Sequence, residues 1–583
     1  MKLDIDITKD DMLPKNAVDI LRDRYMLPEE ISPQESFARA CMAFADNKAH
    51  AERLYKYVSN LWFMFASPLL SNGGTDRGLP ISCFLNYVPD SRTGLAEHYT
   101  ENIWLSSMGG GIGGYWGHIR SQGQSTSKGN KTTGVIPFMH VVDSQMVAFN
   151  QGSTRRGSYA SYMDISHPEI IEFMEMRKPS GGDINRKNLN LHHGVVVSDK
   201  FMKAVEGDLD WDLIDPNSKE VVKSVKARTL WIKLLETRVA TGEPYVMFGD
   251  TVQRGLPKEL KAKGLKVHQS NLCSEITLPT AEDRTAVCCL SSLNLEYFDE
   301  WSKDEMFIED IVRMLDNTLD SFIKSAPSTM WRAVKSAQSE RSIGLGTMGF
   351  HSYLQKVGIA LQSPMSMGPN MKIFKHIKSK CDKANMLLGK EKGEAPDMKG
   401  TGKRFSHMTA IAPNASSSVI CGNTSPSIEP LRANAFSQKT LSGSFLLKNK
   451  YLEQLLEKKG MNTKDVWSSI ITSGGSVQHL DFLNAHEKNV YKTAIEIDQA
   501  WLVDLAAERQ KYICQAQSLN LFFPPDADVK RLNSVHKRAW TKGLKTLYYL
   551  RSEAIKRAEN VSMKIERQVR QDSTEDECVM CQA

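Results

Sequence analysis

Gly194-Val195-Val196-Val197 and Pro244-Tyr245-Val246-Met247-Phe248 are short apolar runs that stop at polar or glycine-bearing loops. Runs of this length, bounded this way, suit buried strands better than helices. Longer stretches with helical spacing alternate with them, such as Ile308, Val312, Leu315, Leu319 and Phe322. Strands alternating with helices predict a parallel α/β sheet or barrel. This texture runs over residues 67–563 with no repeat of fixed period and no long linker.

Upstream the pattern is helical. Ser32-Pro33-Gln34-Glu35 forms a capping box with proline at the first helical position. Phe37, Cys41, Phe44 and Ala45 follow on one stripe, which makes Cys41 a core residue. A helical region is expected over 1–66, with Ser67-Pro68 as its stop. Downstream, residues 564–583 lose the apolar period and end in acids around Cys578-Val579-Met580-Cys581. Such a segment is expected to be a mobile tail.

The chain has 583 residues, with 74 Lys and Arg against 68 Asp and Glu, a net charge of +6. That excess is too thin for a protein that coats nucleic acid, and an acidic disordered chain is excluded. A hydrophobic fraction of 41% with 8% aromatics is ordinary for a globular protein. Met1 to Asp6 carries acids where a secretory signal needs an apolar run. The apolar stretch Leu61 to Leu70 is far short of the ~20 residues that span a bilayer. A soluble, cytoplasmic protein without membrane or direct nucleic-acid binding is expected. The 10 cysteines are too sparse for a secreted disulfide scaffold.

Several motifs fail as cofactor sites. Gly344-Leu345-Gly346-Thr347-Met348-Gly349 matches G-x-G-x-x-G but lacks a preceding strand and a later ribose-binding acid, so it reads as a strand-to-helix turn. Gly109 to Gly114 lacks the Lys-Ser/Thr of a Walker loop, though its glycines allow close backbone approach to a ligand. His192 and His193 alternate across a strand and read as structural. Cys578 and Cys581 lack the second pair that zinc needs, which leaves thiol–disulfide exchange. No metal site is expected.

Three motifs are candidates for chemistry, each with a structural reading beside it: surface alternation for the first and core packing for the third. In Asn271-Leu272-Cys273-Ser274-Glu275, an extended backbone would project the amide, thiol and carboxylate from one face. The thiol could be a nucleophile or a hydrogen-atom donor, the carboxylate a base, and the amide a hydroxyl anchor. Asn414-Ala415-Ser416-Ser417-Ser418 enters an apolar stretch as a helix N-terminus suited to phosphate. Thr546-Leu547-Tyr548-Tyr549 places two tyrosines side by side, a pattern that usually packs a core.

Taken together, Ser82-Cys83-Phe84-Leu85, Ser270 to Ile276, Cys288-Cys289-Leu290-Ser291-Ser292-Leu293-Asn294-Leu295, Pro413 to Ser417, Asn423 to Pro430, Lys545 to Tyr549 and the tail cysteines resemble the large, catalytic subunit of class I ribonucleotide reductases. The resemblance runs in order from about residue 60 to the end. It implies a ten-stranded α/β barrel with a central finger loop, preceded by the helical region and followed by the tail. It implies that Cys273 is the thiyl-radical cysteine, Glu275 the base at the 3′-hydroxyl and Asn271 the amide that orients the sugar. Cys83 and Cys288 match the internal redox pair, and Cys578 and Cys581 the pair that re-reduces it and is regenerated by thioredoxin or glutaredoxin.

Tyr548 and Tyr549 match a relay for a radical supplied by a metal-containing small subunit, so this chain needs no tightly bound cofactor of its own. The resemblance places substrate binding at Ser67, Ser82, Asn414, Ala415, Ser416 and Ser417. It places a nucleotide effector (dNTP or ATP) at Asp90, with the loop from Pro179 to Asn188 linking effector to substrate. Ribonucleoside diphosphate substrates and a homodimer follow from the same resemblance. Asn414-Ala415 stands where the family commonly has Ser-Glu. About sixty residues precede Ser67, so the family's N-terminal ATP cone and its activity control are not expected. Two alternatives remain: an adenosylcobalamin-dependent reductase, which would lack the tyrosine pair, and a non-catalytic nucleotide- or nucleic-acid-binding protein, which gives no reason for the Asn271, Cys273 and Glu275 constellation.

Overall fold

The computed structural model describes residues 3–149, 157–440 and 443–552. Its first part is helical for the reasons read from sequence. Ser32 and Glu35 exchange capping hydrogen bonds at the start of the helix Pro33–Phe44, and Phe37, Cys41 and Phe44 are buried from it. A further helix, Lys48–Ser59, ends before a short strand, β1 (Phe63–Phe65). The helical pattern therefore stops earlier than expected. Ser67-Pro68 opens the next helix, Ser67–Asn72, rather than closing the last. Proline lacks only an N–H that the first turn of a helix leaves without an intrahelical acceptor.

Five strands then run parallel: β2 (Cys83–Tyr87), β3 (Gly111–Tyr115), β4 (Ser158–Asp164), β5 (His192–Val197) and, after a surface hairpin of β6 (Asp210–Ile214) and β7 (Val221–Lys226), β8 (Tyr245–Phe248). Helices such as Arg92–Ser107, Val135–Ala148 and Ala227–Thr241 make the crossovers that parallel pairing demands. The second half begins with β9 (Ala286–Asn294), antiparallel to β2 and fully buried, and β10 (Ile343–Met348), parallel to β9. A hairpin of β11 (Ala435–Thr440) and β12 (Gly443–Lys448) lies outside this sheet.

Segment 407–411 runs along β10, and segment 515–518 along it in turn, each through a parallel bridge. The second of these leads into β13 (Leu521–Phe522), which pairs in parallel with β15 (Leu550–Arg551). The preceding β14 (Thr546–Leu547) pairs antiparallel with β8 and closes the ring. The wall thus has ten staves, five parallel in each half, joined at two antiparallel seams.

The two glycine motifs are parts of this wall. Gly344 and Gly346 lie within β10 itself, so the strand-to-helix turn falls only at Gly349, whose φ is +83°. A side chain at Gly346 would meet the Ala410 carbonyl on the neighbouring stave. The backbone that approaches Gly113 is not a ligand but residues 270 and 271 of the chain. A Cβ there would lie 2.1 Å from Ser270 O and 2.8 Å from Asn271 Cα. Segment 269–280, buried throughout, fills the barrel as a central finger. Gln269 donates to the carbonyls of Asn86 and Gly113 on one half, and Ala516 N donates to Glu275 O on the other.

Candidate active site

Cys83 on β2 and Cys288 on β9 are register partners across the antiparallel seam. Residues opposed in this way have Cα atoms about 4.5–5.5 Å apart, inside the span a disulfide bridges. Both are buried thiols. Burial, with Cys83 beside it, pushes the Cys288 thiol up, so it keeps its proton. Cys289 alternates to the far face of β9, where it hydrogen-bonds Thr318 on the helix Phe307–Ser325. Position 288, not 289, therefore faces Cys83.

The finger supplies the other groups, by a turn rather than by strand alternation. Ser274 has φ +67°, and Asn271 Oδ1 accepts from Ile276 N at 3.1 Å, which closes a tight loop around Cys273. Extended backbone was the expectation; the loop instead brings the three side chains together by reversing on itself. Asn271 Nδ2 lies 3.9 Å from Cys83 Sγ, and its side chain also bonds Glu275. Ser518 Oγ donates to Cys273 O and, at 3.1 Å, to Glu275 Oε2. Burial raises the Glu275 carboxyl to about 7, against these hydrogen bonds, which favour its ionised form. A carboxyl held near neutrality can take or give a proton there.

Ser292 shares a face of β9 with Cys288, four residues on. Its Oγ accepts from Asn414 Nδ2 at 2.7 Å. Asn414, with φ +59°, stands at the N-cap position of the helix Ala415–Ile420 without a side-chain capping bond, and Ser416 and Ser417 are buried in its first turn. This helix and Ser67–Asn72 both pack on β1. Ser67 Oγ is 2.9 Å from Tyr25 Oη. Ser82 directly precedes Cys83, with its Oγ 4.0 Å from that sulfur. Residues 67 and 414–417 thus lie beside β1, and Ser82 lies at the start of β2 beside Cys83.

Tyr548 and Tyr549 have ring centroids 4.3 Å apart, and Tyr548 lies 4.7 Å from Tyr245. All three share one buried cluster with Leu272, Cys273, Tyr115 and Tyr162. The pair is core packing, as expected, and that core is the one around Cys273. Asp90 is bonded to Arg120 at 2.9 Å and Asn217 at 3.3 Å. Loop 179–188 includes a short helical turn, Ile184–Arg186. Cys578 and Cys581 lie outside the described residues. Among the described residues no group of three His, Cys, Asp or Glu side chains could hold a metal ion, and no helix is long and apolar enough to cross a membrane.

Sequence reading missed several residues. Ser518, Gln515, which donates to Cys288 Sγ at 3.6 Å, and Tyr162, which donates to Asn271 O at 2.7 Å, carry no local signal. His192, read as structural, lies 3.2 Å from Tyr549 Oη.

A ten-stave barrel whose central loop brings a thiol and a carboxylate up to two opposed wall thiols is the architecture of a nucleotide reductase catalytic subunit. Comparison with known proteins agrees. The family model described as ribonucleotide reductase, barrel domain, matches residues 81–401 and 395–550, and that of the ribonucleotide reductase all-alpha domain matches 12–78. The ribonucleoside-diphosphate reductase large subunit of Invertebrate iridescent virus 3 is 45% identical, with 99% of each chain covered. A putative large subunit from Frog virus 3 is 51% identical over 91% of this chain and 92% of its own. The solved Actinobacillus ureae class Id ribonucleotide reductase alpha subunit aligns with a TM-score of 0.84 at 35% identity, covering 94% of this chain and 98% of that one. The chain belongs to the ribonucleotide reductase large-subunit family.

Proposed function

We propose that this chain reduces ribonucleoside diphosphates to deoxyribonucleotides for DNA synthesis by a radical held transiently on Cys273. The observation that carries the reading is the opposition of Cys83 and Cys288 on the wall beside Asn271, Cys273 and Glu275 on the finger. The Cys273 thiyl radical takes hydrogen from C3′ of the ribose. Glu275 takes the 3′-hydroxyl proton, and Asn271 orients the sugar hydroxyls. One thiol of the Cys83–Cys288 pair protonates the leaving 2′-hydroxyl, which departs as water. The pair supplies two electrons and ends as a disulfide; the hydrogen held by Cys273 then returns to C3′. Cys578 and Cys581 re-reduce that disulfide by exchange and are themselves reduced by thioredoxin or glutaredoxin.

A metal-containing small subunit supplies the oxidising equivalent, and Tyr548 with Tyr549 carries it to Cys273. Ser67, Ser82 and 414–417 hold the substrate phosphates. Asp90, oriented by Arg120, holds an effector ribose that tunes substrate choice. Apolar Trp104, Val141 and Val147 are exposed on two helices that pack together, Arg92–Ser107 and Val135–Ala148, and this exposed apolar surface supports a homodimer. The relatives bear the name of diphosphate reductase large subunits, which favours the two-subunit reading over the cobalamin one. The test is nucleotide reduction with and without a candidate radical-generating subunit. Turnover that needs the second subunit supports the proposal. Turnover by this chain alone with adenosylcobalamin would overturn it in favour of the cobalamin class, and salt-dependent DNA binding without turnover in favour of a binding protein.

A further inference from the structure

His192, Arg177 and His193 surround one buried carboxylate, Glu243. Glu243 Oε1 accepts from Arg177 Nη1 at 3.0 Å and lies 2.6 Å from His192 Nδ1. Its Oε2 accepts from His193 N at 3.0 Å and lies 2.9 Å from His193 Nδ1. Arg177 Nη1 also lies 2.9 Å from His192 Nδ1, but its two hydrogens go to Glu243 Oε1 and to the Leu191 carbonyl. Only 2% of the Glu243 side chain is exposed. A buried carboxylate with this many donors is ionised, and a ring nitrogen so close to it must carry hydrogen, since two acceptors would repel. The tautomer of His192 follows: Nδ1–H donates. That same nitrogen is 3.2 Å from Tyr549 Oη, and the imidazole is stacked on Tyr245 with 17° between planes, so its direction is fixed.

We infer that His192, held by Glu243, is a positioning residue for Tyr549: one ring N–H is shared between the carboxylate and the phenol oxygen. The inference rests on the reading that Tyr549 and Tyr548 relay a radical to Cys273. After the small subunit's oxidant has taken an electron and the phenol proton from Tyr549, one hydrogen atom passes from Tyr548 to the Tyr549 oxygen. The Tyr548 O–H bond breaks and a Tyr549 O–H bond forms; Tyr548 is oxidised by one electron and Tyr549 reduced. The Nδ1 proton of His192 stays where it is. Because the phenol oxygen accepts from His192, its own hydrogen is turned away from the imidazole, and the oxygen keeps one position in both oxidation states. Transfer between neighbouring rings depends steeply on that position.

The experiment uses the full chain with its radical-generating subunit and compares His192→Leu with His192→Asn, whose amide N–H falls where Nδ1–H lies. His192→Leu should lower kcat about tenfold with KM unchanged, and His192→Asn should stay within about threefold of the parent, the range one hydrogen bond spans. With 3-aminotyrosine at position 549, the trapped radical should have the g-tensor of a hydrogen-bonded phenoxyl in the parent and in His192→Asn but not in His192→Leu. Glu243→Gln, which keeps size but frees the imidazole, should lose kcat in the same sense if His192→Leu proves unstable in thermal melts. Equal activity of His192→Leu and His192→Asn, or an unchanged g-tensor, overturns the positioning role. Tyr549→Phe is measured alongside: full turnover by that variant overturns the relay, whereas an inactive Tyr549→Phe beside an unaffected His192→Leu overturns only the inference about His192.

Discussion

Gly113→Ala tests whether the finger is held against the wall as described. The new Cβ would lie 2.1 Å from Ser270 O, 2.8 Å from Asn271 Cα and 3.0 Å from Asn271 C. All three are backbone atoms, so no rotamer relieves the contact. The finger would have to retreat by about 1 Å to restore ordinary packing. Overpacking of this kind costs about 1–3 kcal/mol. Catalysis should lose more than stability, because the segment pushed back carries Asn271 and, two residues on, Cys273. Misplacing reacting groups by ~1 Å costs on the order of a hundredfold. Nucleotide reduction with a radical-generating subunit should therefore fall about a hundredfold while a cooperative melt persists. Gly368→Ala is the control: nothing lies within 4 Å of its Cβ in the helix Met367–Lys392, and alanine there should be neutral or add up to ~1 kcal/mol. Wild-type turnover and melting in Gly113→Ala would refute the contact between finger and wall.

Because burial raises Glu275 to about 7, the free enzyme should gain kcat/KM as pH rises through that value, and Glu275→Gln should lose both this limb and most activity; a pH–rate profile checks it. The linkage runs the other way for stability: with the folded-state value raised, the contribution of the neutral carboxyl is present at low pH and lost as pH passes about 7, so the Gln variant should gain on the parent in melts above neutrality. Asp316 is wholly buried between Arg341 (2.8 Å) and Arg404 (3.1 Å), and Asp316→Ala should cost ~3–5 kcal/mol in urea denaturation by stranding those cations. Replacing Cys578 and Cys581 together by Ser should leave about one turnover with thioredoxin but sustained cycling with dithiothreitol, since only the small reductant needs no intermediary in the barrel. Sustained turnover of that double variant with thioredoxin would mean that the internal pair is reduced directly.

The staves were legible because buried strands leave short apolar runs: Gly194 to Val197 and Tyr245 to Phe248 became β5 and β8. The finger was not, because its buried residues include Gln269, Ser270, Thr277 and Thr280: Gln269 is satisfied by the Asn86 carbonyl far along the chain, and Ser270 and Thr280 by Ile276 O and Gln269 Oε1 within the finger, so no apolar run marks it as buried. Asn271, Cys273 and Glu275 stood out as chemistry in an unexpected place, yet the turn at Ser274 that gathers them depends on contacts with Ser518 and Tyr162 far along the chain. His192 shows the same limit. Its neighbour Tyr549 is 357 residues away, a separation that a strand pattern cannot report. Gly113 was noticed as a place for close approach, and only the fold identifies the approaching backbone as the chain's own.

The proposed reduction turns on the Cys273 sulfur, since among side chains of that size only a thiol can act there as a hydrogen-atom donor. Cys273→Ser, nearly the same size, should fold and bind ribonucleoside diphosphate as the parent does. In the presence of the radical-generating subunit it should form no deoxyribonucleotide, even in a single turnover with reduced Cys83 and Cys288. Measurable product from Cys273→Ser under those conditions would contradict the account.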